Sequence, residues 1–326
     1  MGPTTPDATG ADPNGGDPTG SGSTAAGPTR DGDRAVVAVV ADDTPFCATG
    51  VELLADRLFS LGASAVSELP DPDGVGLRLV ADLPVASLAP RENAALDSIG
   101  QPYEVLESDP SWAGGWRDHA TAPAVGERLV VRPEWVEPDP AHGDRIEVVV
   151  DAAEAFGSGS HPTTRLCLEA VESLAAAAPR GRVLDVGCGT GVLGVAALLL
   201  GADPLVAVDV DPAAVAATVR TAELNGVADR VVEASGRTVG EVAADHGPFD
   251  LVLANLLVPI IEDLGAALAA AVAPGGRLVL SGLLADAASG QVDRAVRALG
   301  PGIAVESVAE HEGWASIVAA PVGQGA

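Results

Sequence analysis

Read for hydrophobic and polar alternation, the chain falls into stretches of different character. Residues 1–33 carry scarcely an apolar side chain among Gly, Pro, Thr, Asp and Ser, so burial cannot offset the entropy of ordering them, and a disordered tail is expected. From Arg34 onward apolar runs alternate with turn residues. They predict a strand over Ala35–Val40, a helix over Pro45–Leu61, strands over Ala63–Leu69 and Val75–Ala81, a helix over Val85–Ile99 and a strand over Tyr103–Leu106. The order β-α-β-β-α-β is that of the ferredoxin-like split motif, so a small α+β domain is expected over 34–108.

Residues 109–150 hold three of the four tryptophans, Trp112, Trp116 and Trp135, among prolines and charges, with short strand-like runs at Arg128–Arg132 and Ile146–Val150. This reads as a connecting segment with a small packing surface of its own. Over 151–321 helices and strands alternate: helix Pro162–Ala177, strand Arg182–Val186, helix Val192–Leu200, strand Leu205–Val208 and helix Pro212–Asn225. Strands then follow at Arg230–Glu233, Phe249–Ala254, Arg277–Ser281, Ile303–Val308 and Trp314–Ala319. Such alternation predicts an α/β domain built on a mostly parallel, Rossmann-like sheet with helices on both faces.

Composition narrows the picture. The chain has 326 residues and 47% hydrophobic side chains, yet no apolar run approaches the roughly 20 residues of a membrane-spanning helix, and its start does not look like a secretion signal. A soluble, cytoplasmic protein is expected. The three cysteines, Cys47, Cys167 and Cys188, lack any C-x-x-C spacing and suggest neither disulfides nor a metal site. With 46 acidic against 18 basic residues the net charge is −28, and every cation is an arginine, so direct binding of nucleic acid is not expected. The acidity fits solubility in a salty cytoplasm and also steering of a basic protein partner.

Three constellations carry chemistry. Asp185-Val-Gly187-Cys-Gly189-Thr-Gly191 stands directly between an apolar strand and a helix. Glycines there let the backbone turn tightly against a ligand, and the helix start offers unpaired N–H groups. At the end of the next strand Asp209 is suited to accept hydrogen bonds from two ribose hydroxyls, so a nucleoside-containing cofactor is implied. Gly189-Thr-Gly191-Val-Leu-Gly194 also satisfies the dinucleotide pattern G-x-G-x-x-G, which keeps a nicotinamide cofactor open. The second constellation is Asn255, at the carboxyl end of a parallel strand. Its side-chain carbonyl is suited to accept from a neutral amine and aim the amine's lone pair, the alternative being an asparagine that caps the helix beginning near Pro259. The third is Glu154-Ala-Phe156-Gly-Ser-Gly-Ser-His161-Pro-Thr163-Thr164, a Gly/Ser loop entering a helix with proline in its first turn. His161 stands where a base is conceivable, but a lone histidine at a helix start reads as structural.

Together these residues resemble a known family. The D-x-G-x-G-x-G form is similar to the first cofactor motif of class I methyltransferases, which bind S-adenosylmethionine (SAM). With A-F-G-S-G-S-H-P-T-T, V-D-V-D-P, A-N-L-L, R-P-E-W and the late L-S-G-L-L, the stretch from Trp112 to about Trp314 resembles the PrmA family of ribosomal protein L11 methyltransferases. The family's usual N-I-L-A is here Asn255-Leu-Leu-Val258. The resemblance implies that Thr164, Gly187, Asp209 and Asn255 contact SAM, with Asp185, Gly189 and Gly191 in the same loop. It also implies that the N-terminal domain docks a ribosomal protein substrate and that the acceptor is a lysine ε-amino or N-terminal α-amino group. Another protein or a small molecule as substrate, a nicotinamide-dependent enzyme and a non-catalytic SAM-binding module are the alternatives.

Overall fold

The structure is a computed structural model that describes residues 34–40, 58, 65–70, 77–84, 103–106, 121–151, 161–177 and 181–323. The tail expected over 1–33, the body of the helices expected over 45–61 and 85–99, Trp112, Trp116 and the loop from Ala152 to Ser160 lie outside those residues.

In the N-terminal part, β1 (Arg34–Val40), β2 (Ala65–Pro70), β3 (Leu77–Pro84) and β4 (Tyr103–Leu106) form one sheet in the order β2-β3-β1-β4. Every pairing is antiparallel, with Ala38 opposite Val80 and Glu104 and Val66 opposite Ala81. This strand order is the one the split β-α-β motif generates, because each crossover carries the chain past a neighbouring strand before it returns.

The connecting segment carries β5 (Ala124–Val125), β6 (Leu129–Pro133) and β7 (Ile146–Val150), a sheet in which β6 and β7 run parallel. Its apolar side chains do not form a core of their own. Val125, Leu129, Val131, Val148 and Val150 are buried in one cluster with Leu168 and Val171 of α1 (Pro162–Ala177) and Val195 and Leu198 of α2 (Val192–Leu199). All eight residues of α2 are apolar or glycine, and seven are buried. Such a helix needs cover on every side, and the small sheet supplies part of it. The carboxamide of Asn225 completes the join. It accepts from the Val149 N–H at 3.0 Å and donates to the Val149 carbonyl at 2.6 Å, tying β7 to the end of α3 (Pro212–Leu224).

The large sheet has seven strands in the order β10-β9-β8-β11-β12-β14-β13, namely β8 (Val183–Val186), β9 (Leu205–Val208), β10 (Val231–Glu233), β11 (Phe249–Asn255), β12 (Val272–Leu284), β13 (Ile303–His311) and β14 (Trp314–Pro321). The first five are parallel, whereas β14 inserts between β12 and β13 antiparallel to both. Successive strand residues feed opposite cores. Leu184, Val206, Val252 and Leu278 join one cluster, and Val183, Leu205, Leu253 and Val279 join the other. Both faces of the sheet are therefore covered, which is why these strands read as continuous apolar runs rather than alternating ones. Each fully buried aliphatic side chain contributes about 1.5 to 3 kcal/mol.

Three helices that the periodicity left unassigned or only half placed flank the later strands: α4 (Val239–His246), α5 (Val258–Ala271) and α6 (Gln291–Leu299). The short α4 owes its start to a reciprocal capping box, Thr238 Oγ1 accepting from the Glu241 N–H while the Glu241 carboxylate accepts from the Thr238 N–H. Both α2 and α3 reach their expected starts and end one residue earlier than expected.

Candidate functional site

The carboxyl ends of β8, β9 and β11 are neighbours in the sheet, so the loops leaving them share one crevice, the usual ligand position in an open α/β sheet. Strand β8 ends at Val186 and runs straight into Gly187. Gly187, Gly189 and Gly191 all take positive φ, 69°, 52° and 79°. At Gly187 a Cβ would run into Cδ2 of Leu256, the residue after Asn255, so glycine there lets the cofactor loop and the loop after β11 close on each other. The turn is fastened by main-chain bonds from Gly187 and Cys188 to the Val208 carbonyl at 2.8 and 3.2 Å.

Asp185 is 1% exposed, its Oδ2 accepting from the Gly194 N–H at 3.0 Å at the head of α2. Burial pushes its carboxyl up to about 7, against the opposing pull of that hydrogen bond, with a further rise from nearby Asp209. A buried acid poised near neutrality beside an anion-repelling neighbour favours a cationic ligand group. Asp209 follows directly on β9. Its Oδ2 accepts from Gly189 N–H at 3.2 Å and its Oδ1 from Asp211 N–H at 3.0 Å. A carboxylate holds about four lone-pair sites, so each oxygen keeps acceptor capacity for a pair of hydroxyls. Val210, next in sequence, is 91% exposed.

These features fit a nucleoside joined to a cationic amino acid tail: a glycine loop held at positive φ, a strand-end carboxylate with acceptor capacity to spare and a buried acid. Gly194, the last glycine of the alternative dinucleotide pattern, lies inside α2, where its missing Cβ leaves room for Leu205 and for the Asp185 carboxylate. Its role is helix-to-strand packing, so the pattern itself does not select a dinucleotide.

Asn255 ends β11, and α5 starts at Val258 with Leu257 at its N-cap and no side-chain capping bond, so Asn255 does not cap that helix. Its Nδ2 donates instead to Oγ1 of Thr163 at 3.0 Å, across 92 residues of chain. The following residues divide their roles. Val258 and Ile261 are buried in the core, Leu256 and Leu257 are half-buried, and Ile260 is 42% exposed, an apolar rim beside the asparagine. Gly282 of β12, at φ 89°, lets the backbone of Leu256 pass against it, where a Cβ would strike the Leu256 main chain.

At the start of α1, Thr163 and Thr164 are each 1% exposed. The resemblance implies a cofactor contact at Thr164; the hydroxyl bonded to Asn255 is that of its neighbour Thr163, which the sequence placed only as part of a capped helix start. His161 Nδ1 lies 2.8 Å from Thr163 Oγ1 and accepts from the Thr163 N–H at 3.3 Å. Its ring meets Trp314 edge to face, with centroids 5.0 Å apart. Burial holds the imidazole down to about 4, opposed by the Glu312 carboxylate, so it is neutral at ordinary pH and too weakly basic to take a proton from an amine. Burial pushes the Cys167 thiol up to about 12 and also raises that of Cys188, so both buried thiols are inert on these grounds.

Comparison with known proteins agrees with this geometry. A family model described as ribosomal protein L11 methyltransferase (PrmA) matches residues 90–321. The protein of that name from Parasynechococcus marenigrum is 41% identical over 256 residues, covering 73% of this chain and 86% of the relative. That from Geobacter sulfurreducens is 35% identical over 291 residues, covering 82% and 93%. The crystal structure of a ribosomal protein L11 methylase from Lactobacillus delbrueckii subsp. bulgaricus superposes with a TM-score of 0.52 at 26% identity, covering 60% of this chain and 97% of that one.

Proposed function

Because this chain belongs to the ribosomal protein L11 methyltransferase (PrmA) family, a family of SAM-dependent methyltransferases, we propose that its own acceptor is an amine of ribosomal protein L11, a lysine ε-amino or the N-terminal α-amino group. The observation that carries this reading is Asn255, held by its Nδ2 at the mouth of the glycine loop with its carbonyl left to meet an amine.

When bound, SAM supplies a methyl group on a sulfonium that is already a good leaving group. Asp209 would hold the ribose, Gly187, Gly189 and Gly191 would let the main chain approach, and Asp185 would offset the charge of the cationic tail. Asn255 Oδ1 accepts one N–H of the incoming amine and turns its lone pair toward the crevice. The amine must arrive neutral, against an ordinary lysine pKa of about 10.4, and the apolar rim of Leu256, Leu257 and Ile260 disfavours its charged form. Orientation of this kind supplies roughly 7 to 11 kcal/mol of a bimolecular barrier.

The N-terminal antiparallel sheet carries no counterpart of the D-x-G-x-G-x-G loop, and docking of the protein substrate is assigned to it. The net charge of −28 supports a basic protein partner over direct contact with nucleic acid, and work in the cytoplasm follows from a ribosomal substrate. No helix among the described residues is long and apolar enough to cross a membrane. Mass spectrometry of ribosomal proteins from cells with and without the chain tests the reading. Methyl groups on L11 that vanish with the chain are expected; an identical L11 spectrum in both cells removes L11 as substrate. Transfer of label from isotopic SAM to purified L11 checks the same point directly.

A further inference from the structure

We infer that His161 is a positioning residue for the methyl acceptor, acting through Thr163 to fix which end of the Asn255 carboxamide faces the crevice. This rests on the reading that Asn255 Oδ1 receives the amine. An asparagine amide has two ends of similar size and opposite hydrogen-bonding sense, so a side chain free to flip would present a donor to the amine half the time. Three bonds remove that freedom. The Thr163 N–H can only donate, and it points at His161 Nδ1 at 3.3 Å, so Nδ1 must be the bare nitrogen and the ring proton must sit on Nε2. The Thr163 hydroxyl, 2.8 Å from the same Nδ1, therefore spends its single proton there. Its oxygen is left as an acceptor, which only the NH2 end of Asn255 can satisfy, at 3.0 Å. Oδ1 is thereby turned away from Thr163.

The relay is sheltered from competing water. Thr163 is 1% exposed, and the His161 ring is set against Trp314, itself 4% exposed and packed with Leu166 and Leu284. Trp314 opens β14, so the antiparallel strand of the large sheet reaches the acceptor site through this ring contact.

Two substitutions at His161 separate relay from packing. His161→Asn places an amide oxygen where Nδ1 stood but gives up the ring contact; His161→Phe keeps a ring against Trp314 but offers no acceptor. With the full chain, SAM and the protein substrate, His161→Phe is expected to lower kcat by about ten- to a hundredfold with SAM affinity by calorimetry changed less than about threefold, while His161→Asn keeps most of the turnover. Thr163→Val is expected to follow His161→Phe, and Thr163→Ser to follow His161→Asn, which keeps the test open should one variant fold poorly. A readout independent of turnover is the imidazole nitrogen NMR spectrum of the wild-type chain, in which His161 should be the Nε2–H tautomer at neutral pH. An Nδ1–H tautomer, or a His161→Phe enzyme as fast as His161→Asn, overturns the relay. If Asn255→Ala itself leaves kcat intact, the acceptor reading fails first; if Asn255→Ala is slow and His161→Phe is not, the relay alone fails.

Discussion

The Gly189 N–H donates to Oδ2 of Asp209 at 3.2 Å, so the acid at the end of β9 is fastened to the glycine loop leaving β8. On the proposed reading, one carboxylate serves both the shape of the loop and the ribose. Asp209→Ala should remove charge-assisted bonds to the ribose and loosen the loop, weakening SAM by roughly 2 to 4 kcal/mol while the fold persists. Calorimetry on a folded variant checks this, and an unchanged SAM affinity would show that the nucleoside sits elsewhere.

If Asn255 Oδ1 receives the amine as proposed, Asn255→Ala should lower kcat more than it weakens SAM, because the interaction lost is chiefly one of attack geometry. A loss of turnover no larger than the loss of SAM affinity would reduce Asn255 to a cofactor ligand. In the wild-type enzyme kcat/KM should climb with pH until the amine is neutral and then level off, without a falling limb from an essential acid.

Asp185 should make both stability and cofactor binding depend on pH. Burial raises its carboxyl from 3.8 to about 7 in the folded chain. Between those values the unfolded chain has released a proton that the folded chain still holds, so this group's contribution to stability falls as pH rises across the window and is lowest above about 7. A cationic ligand beside it favours the carboxylate, so SAM binding below about pH 7 should expel a proton and tighten as pH rises, then level off. Calorimetry in two buffers of different ionisation enthalpy measures that proton. Asp185→Asn should flatten the profile and weaken SAM on the alkaline side; a flat wild-type profile would contradict the assignment.

Shortening the chain should separate cofactor binding from substrate docking. A chain beginning near Asp109 keeps β5, β6 and β7 and should bind SAM as the full chain does, yet methylate the intact protein substrate poorly. Equal kcat/KM for the two would remove the docking role. A chain beginning after Val150 strips Val125, Leu129, Val131, Val148 and Val150 from the cover of α2 and should fail to fold, which circular dichroism would report.

The sequence by itself determined what lies along one strand or one helix turn. The apolar run ending at Val186, the glycines after it, Asp209 closing the next strand and Pro162 opening α1 are local signals, readable because strand and helix periods need only neighbouring residues. The β-α-β-β-α-β order of the N-terminal part likewise implied the strand order later seen. Periodicity says that a face is buried but not against what. It left β5 to β7 as a connector, although their side chains complete the core around α2, and passed over α4, whose start depends on a capping box rather than an apolar stripe. Only the tertiary structure brought Thr163 to Asn255 and set His161 against Trp314. The bond between Thr163 and Asn255 spans 92 residues and exists because α1 packs on β11 and β12, a matter of long-range packing. The neutral state of His161 draws on the same packing, since burial, to which the distant Trp314 ring contributes, holds its proton off.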